Sequence, residues 1–284
     1  MKFLIPLISI ASLTMGCASV QTTKVETLSL SAGWVLDGFE SPESVIADGK
    51  GGYFVSNVNG GGRDKDGNGF ISRISADGKM IERMWAEGVD APKGMAIWDN
   101  TLYVADIDTL VMIDANTGDI KGKIPVEDAG FLNDVAASDK GVFVSDSGRA
   151  RIHKLNGDTL PVWLADDRLE RINGLLPQDK RMLIVTMAAG ELLAVDWKDQ
   201  TIKGIAAGMI NGDGLNERTD GSFMVSSYPG QIWHVREGEA PSLLLDTSGD
   251  NPVSHNDTLF EQSRIISPNW SSGTVREYQI IIGE

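Results

Sequence analysis

Cysteine occurs once in 284 residues and histidine three times. A single thiol excludes an intramolecular disulfide, so the fold must rest on a buried core alone. No Cys/His spacing of the kind that builds a zinc site is present either. Positive charge is also scarce, with 25 Lys and Arg against 40 Asp and Glu, a formal −15. Such a surface repels nucleic acid and anionic lipid, and neither is expected as a partner. There is no G-x-x-x-x-G-K-[ST] phosphate loop and no G-x-S-x-G nucleophile turn. Helical periodicity is nearly absent, and no apolar run is long enough to span a bilayer.

What is present is repetition. Six segments superpose: PESVIAD, PKGMAIWD, LNDVAASD, INGLLPQD, GDGLNERTD and HNDTLFEQ. One polar residue of each takes the same place, namely Glu43, Lys93, Asn133, Asn173, Asp213 and Asn256. The intervals between them are 50, 40, 40, 40 and 43 residues. A period near 40 made of short apolar alternations, broken by Gly, Asp and Asn, points to a β-propeller with one blade per repeat. The expected fold is all-β, a six-bladed propeller over residues 33–284. In blade 1 the strands read SVIAD, GYFVSNV, FISRISAD and MIERMWAEG, and the next four blades repeat that grammar. The sixth supplies only DTLFE, RIISPNW and GTVREYQI, so its outermost strand is assigned to GWVLDGF, residues 33–39. An N-terminal strand closing the last blade removes an exposed sheet edge.

Ahead of the repeats, Lys2 and the apolar stretch Phe3–Met15 read as an export signal. Leu13-Thr14-Met15-Gly16-Cys17 has the form of a bacterial lipobox, with Thr14 departing from the usual leucine. Residues 1–16 are then a lipoprotein signal peptide, Cys17 is the lipidation site, and residues 17–32 are a tether. Ala18 directs such a lipoprotein to the outer membrane, facing the periplasm, with the lipid as its only membrane contact. Ordinary signal-peptidase cleavage after Ala18 is the alternative and gives a soluble periplasmic or secreted domain.

The innermost strand of a blade lines the central channel, so one residue per repeat at one depth makes a ring. Glu43, Asn133, Asn173 and Asp213 converge near one mouth and supply two carboxylates and two amide oxygens. These are hard donors, suited to Ca²⁺ and acceptable to Zn²⁺ or Mg²⁺. Facing carboxylates repel, and a cation relieves that repulsion. A wet, polar channel mouth accounts for the same residues without a metal. Lys93 puts a positive charge in the ring, either to meet an anionic substrate group or to balance Glu43 and Asp213, and balance is the favoured role.

These residues resemble the SMP-30/gluconolactonase/luciferin-regenerating-enzyme family of six-bladed propellers and, more distantly, the paraoxonases. The resemblance runs over most of residues 33–280. It implies a metal held by Glu43, by Asn173 of Asn173-Gly174 and by Asp213 of Asp213-Gly214, with Asn133 of Asn133-Asp134 holding substrate or the metal's water. The family's Trp after its first ligand is missing here, and Glu40 competes for that position, but only Glu43 shares the register of the ring. The implied activity is hydrolysis of a lactone or related ester, a small-molecule substrate polarised by the metal. In that scheme Asp213 also accepts a proton, Asn133 orients the substrate oxygen and Asp134 braces it from behind. His255, beside Asn256, is a candidate base at the mouth, although a structural or solvated role is favoured; His153 and His234 fall in third strands. The rival reading is a non-catalytic binding or scaffold lipoprotein, with a structural metal or none.

Two further features stand outside the ring. Blade 1 is ten residues longer than the next, and the excess falls in Asn59–Gly69, which should project at the end of the blade. Asp64, Asp66 and Asn68 match the start of an EF-hand loop, but its twelfth position is Ser75 and a strand follows. A polar turn is therefore expected, with a loop calcium left open. Most of the seven tryptophans should pack between blades, with Trp270 reaching the far end of the channel.

Overall fold

The computed structural model describes residues 27–283. They form six four-stranded antiparallel sheets arranged as a six-bladed β-propeller. Blade 1 comprises Pro42–Ala47, Gly52–Asn57, Gly69–Ser75 and Met80–Val89, counted outward from the channel. Blades 2 to 5 repeat this order, their innermost strands being Pro92–Trp98, Leu132–Ser138, Ile172–Pro177 and Gly212–Glu217. Each innermost strand touches the next around the ring, and that of blade 6 returns to blade 1.

The core is divided among the blade interfaces. Six hydrophobic clusters each join two adjacent blades, such as Phe54, Ile71 and Trp85 of blade 1 against Leu102, Val111 and Ile113 of blade 2. Middle strands are covered on both faces, so Gly52–Asn57 is buried throughout, whereas the outermost strand Ile120–Pro125 is mostly exposed. This is why middle strands read as near-continuous apolar runs rather than alternations. Each fully buried Ile or Leu in these interfaces contributes about 1.5–3 kcal/mol. The tryptophans follow the same logic: Trp85 stacks on Phe54, and Trp163 and Trp197 meet Phe143 between blades 3 and 4.

Closure of the ring differs in detail from the sequence expectation. The outermost strand of blade 6 is Thr27–Leu36 rather than 33–39, and it pairs with Thr274–Gly283 from Thr27↔Gly283 to Leu36↔Val275. Residues 27–32, assigned to the tether, are therefore part of the sheet. The cause is the alternation Leu28-Ser29-Leu30, which carries Leu28 and Leu30 onto Tyr278 and Ile280. Phe39 leaves the strand and fills the interface of blades 6 and 1. The expected signal peptide, the expected lipidation site Cys17 and the expected tether as far as residue 26 lie outside the described residues. The innermost strand of blade 6 shrinks to Leu259–Phe260.

Candidate functional site

Glu43, Lys93, Asn133, Asn173 and Asp213 are each the second residue of an innermost strand. At each one the pairing with the second strand slips by one residue, between Pro42 and Val45 in blade 1 and at the equivalent places in blades 2 to 5. The slip is a β-bulge, which re-aims side chains at a strand end. In blades 1, 3 and 5 a serine on the second strand caps the freed amide: Ser56 accepts from Ser44 N–H, Ser145 from Asp134 N–H and Ser226 from Gly214 N–H, at 2.8–2.9 Å. The glycine of the K-G and N-G pairs answers to space. A Cβ on Gly94 would lie 2.5 Å from the Asp134 carboxylate, and one on Gly174 would lie 2.3 Å from the Asp213 carbonyl.

The bulges bring Glu43, Lys93, Asn133, Asn173, Asp213 and Asn256 to one cavity of about 590 Å³. All six side chains are buried. Asn133 Nδ2 donates to Ser147 Oγ at 3.2 Å. Lys93 Nζ donates to the carbonyls of Gly62 and Ala91, both at 2.9 Å. Among the described residues, the buried side-chain oxygens without a hydrogen-bond partner are Glu43 Oε2, Asp213 Oδ1 and Asn256 Oδ1. All three belong to the ring. Glu40, the competing candidate, is half exposed and pairs with Arg83 on the outside.

Two of the expected partners lie elsewhere. Asp134 does not brace Asn133: its two carboxylate oxygens accept from the amides of Val135 and Leu175 at 2.7 Å, tying blade 3 to blade 4 one layer below the ring. It borders a second, smaller cavity of about 90 Å³ together with Asp257. His255 points away from the mouth and is fully buried, with Nδ1 on Ser267 Oγ at 2.8 Å and Nε2 on Thr247 Oγ1 at 3.2 Å. Burial, reinforced by Arg276, lowers its pKa to about 4. It is a structural histidine. Trp270 reaches the same mouth as the ring, beside Gly62, rather than the far end.

Three buried carboxylates and the half-buried Asp257 share the channel. Glu43 is held well above the ordinary carboxylate range by burial and then by the charges of Asp213 and Asp257, with Lys93 opposing. Burial, Asp257 and Asp134 push Asp213 well up, with the Asn173 side chain opposing. Burial and Asp257 do the same to Asp134 against its two amide donors. Asp257 itself rises to about 6 through burial, with the Ser44 hydroxyl opposing. Burial lowers the Lys93 pKa, Glu43 and Asp106 raise it and Arg63 lowers it further. Lys93 Nζ itself is spent on the Gly62 and Ala91 carbonyls, and no ion pair joins it to Glu43 among the described residues. Asp257 was not singled out from sequence, although it follows a ring position as Asp134 does.

The rim also escaped the sequence reading. The long loop between the second and third strands of blade 1 does not project; it lies across the mouth toward blades 2 and 3. Gly67 N–H donates to Asp90, Lys65 pairs with Asp108, and Arg63 donates to the Gly130 carbonyl and stacks 4.2 Å above Phe131. Within the loop Asp64 accepts from Gly61 N–H and Asp66 from the Asn68 amide, as a polar turn requires. Arg171, Met187 and Tyr228 complete the rim from blades 4 and 5.

The ring suits a hard cation: three buried oxygens without partners, two of them carboxylate, stand beside the amides of Asn133 and Asn173. Among the described residues no three His, Cys, Asp or Glu side chains are grouped to hold a metal by themselves, so the amide oxygens are needed to complete a site.

No family model matches the chain, and no curated protein does. Among solved structures it is similar to selenomethionine-substituted virginiamycin B lyase from Staphylococcus aureus, at a TM-score of 0.59 and 10% identity. The match covers 90% of this chain and 100% of that one. The likeness is one of fold: an enzyme is built on the same kind of propeller.

Proposed function

We propose that this chain is a metal-dependent hydrolase of a lactone or related ester, working in the cavity above the ring. The observation that carries the proposal is that every buried, partnerless side-chain oxygen among the described residues lies in that ring. Buried polar atoms are nearly always satisfied, so three orphans at one cavity floor call for a ligand. Glu43, Asn173 and Asp213 would hold the cation, Ca²⁺ by donor type, with Asn133 and Asn256 as further oxygens at the floor. When bound, the ion supplies Lewis acidity, polarising a carbonyl and acidifying water. Asn133, fixed through its Nδ2 to Ser147, orients the substrate oxygen. Asp213, a carboxylate at the cavity floor, would take the proton released when water attacks. Phe131 and Trp270 supply an apolar wall to the cavity beside the floor.

The test is metal content and thermal stability of the protein beside Glu43→Gln and Asp213→Asn. About one calcium per chain and a metal-induced rise in Tm, both lost in each variant, support the site. No bound metal and no response to Ca²⁺, Zn²⁺ or Mg²⁺ would sink the hydrolase and favour a binding or scaffold propeller. The lipobox reading is part of the proposal: Cys17→Ser should release the protein from the outer-membrane fraction into the periplasm. Release without substitution points instead to ordinary cleavage.

A further inference from the structure

The chain carries 40 acidic side chains, and nine of its twelve arginines are ion-paired with one of them. Among the described residues Arg63, Arg171 and Arg276 have no carboxylate partner, and the first two face the same cavity mouth. Arg63 is delivered there by the loop over the mouth, and its guanidinium rests on Phe131 with one N–H on the Gly130 carbonyl at 2.9 Å. Lys93 Nζ stands 4.6 Å from the same ring, so two cationic side chains are gathered on one aromatic. Arg171 enters from blade 4, is exposed, and its guanidinium donates to Met187 Sδ at 3.8 Å. In a strongly acidic protein, unpaired guanidinium groups at a cavity mouth focus anions there. Their planar donors match a carboxylate bidentately.

We infer that the substrate carries an anionic group, a carboxylate in its simplest form, held at the rim by Arg63 and Arg171 while its reacting carbonyl lies over the ring; this rests on the hydrolase reading. The two arginines lie at the rim and the ring at the floor of one cavity, and that separation sets which end of the substrate each one meets.

The test compares D-glucaro-1,4-lactone, which bears a free carboxylate, with its neutral counterpart D-glucono-1,4-lactone. Both are assayed on the full chain and on Arg63→Gln and Arg171→Gln. With calcium present, the acid lactone should show a KM lower by about tenfold, and each substitution should raise that KM toward the neutral one. Calorimetric titration of both lactones in chelator reads binding without chemistry. Tighter binding of the acid lactone is expected, weakened in each Gln variant and partly kept in Arg171→Lys. Equal affinity for the two lactones, no binding of the acid one, or a preference that survives both substitutions overturns the anion subsite. Arginine-dependent binding of the acid lactone with no turnover of either keeps the subsite and sinks the hydrolase.

Discussion

Ser44 and Asp257 meet where the first and last innermost strands close the ring. The Ser44 hydroxyl donates to Asp257 Oδ2 at 2.5 Å across 213 residues of sequence. Their backbones bridge in parallel, with Val45 N–H on the Asp257 carbonyl and Asp257 N–H on the Glu43 carbonyl at 3.3 and 3.0 Å. The contact fastens blade 6 to blade 1 at the channel, far from the closing strand on the outside. Ser44→Ala leaves a half-buried carboxylate without its side-chain donor, so we expect a loss of about 1–2 kcal/mol in denaturant unfolding, with Ser44→Thr close to wild type. Equal stability of all three would refute a fastening role.

Lys93 supplies a positive charge that opposes the rise of the Glu43 pKa and holds the mouth loop through the Gly62 carbonyl. Lys93→Met removes one partner of a buried set of charges and is expected to destabilise the metal-free protein by roughly 3 kcal/mol. The same change removes repulsion against a divalent ion, so calcium affinity should rise by about tenfold or more. Calorimetry on both proteins decides it; weaker calcium binding in the variant would make Lys93 a support of the cation site rather than its competitor.

The closing strand depends on Leu28, which is 8% exposed, more than on Val35, which is 54% exposed. Leu28→Ala should cost about 2–3 kcal/mol and Val35→Ala no more than about 0.5 kcal/mol. A chain beginning at residue 33 is expected to unfold at lower denaturant than one beginning at residue 24, because it lacks Leu28 and Leu30. Matching midpoints would restore the shorter strand.

His255 gives the stability profile a mild-acid limb. Its pKa falls to about 4 in the folded protein through burial and Arg276, so it stays neutral there while the unfolded chain protonates near its ordinary value of 6.5. Between those values the unfolded state binds more protons, and stability is lost as pH falls from 6.5 toward 4. The slope from this one group approaches about 1.4 kcal/mol per pH unit. Unfolding of wild type and His255→Gln at pH 7, 6 and 5 should show the difference between them shrinking with acid. A constant difference would mean that His255 does not titrate on unfolding.

Repeat period, strand grammar and the six ring positions were all written in the chain, since each depends on local alternation and on one residue type recurring about every 40 positions. Bulges are local as well, and their mark was present but unread: a serine in the second strands GYFVSN, GVFVSD and FMVSS caps them at 56, 145 and 226. Asp257 and the closing strand were legible in part, through the Asn-Asp pair that repeats Asn133-Asp134 and through the Leu-Ser alternation at 28–30. His255 was misplaced because sequence proximity to Asn256 does not say which way a ring turns. Packing against Tyr278 and hydrogen bonds to Ser267 and Thr247 turned it inward.

Sequence by itself therefore determined the all-β repeat, its count of six and the identity of one polar residue per blade, because these follow from short-range patterning. Tertiary structure alone decided which residues stand above and below that ring. The Asn59–Gly69 loop folds back because Asp90, Asp108 and Gly130 of other blades offer it partners, and Arg63 and Arg171 face one cavity because the ring closes. Such contacts join residues tens to hundreds of positions apart, and their energies arise only when six blades have brought the chain round to meet itself.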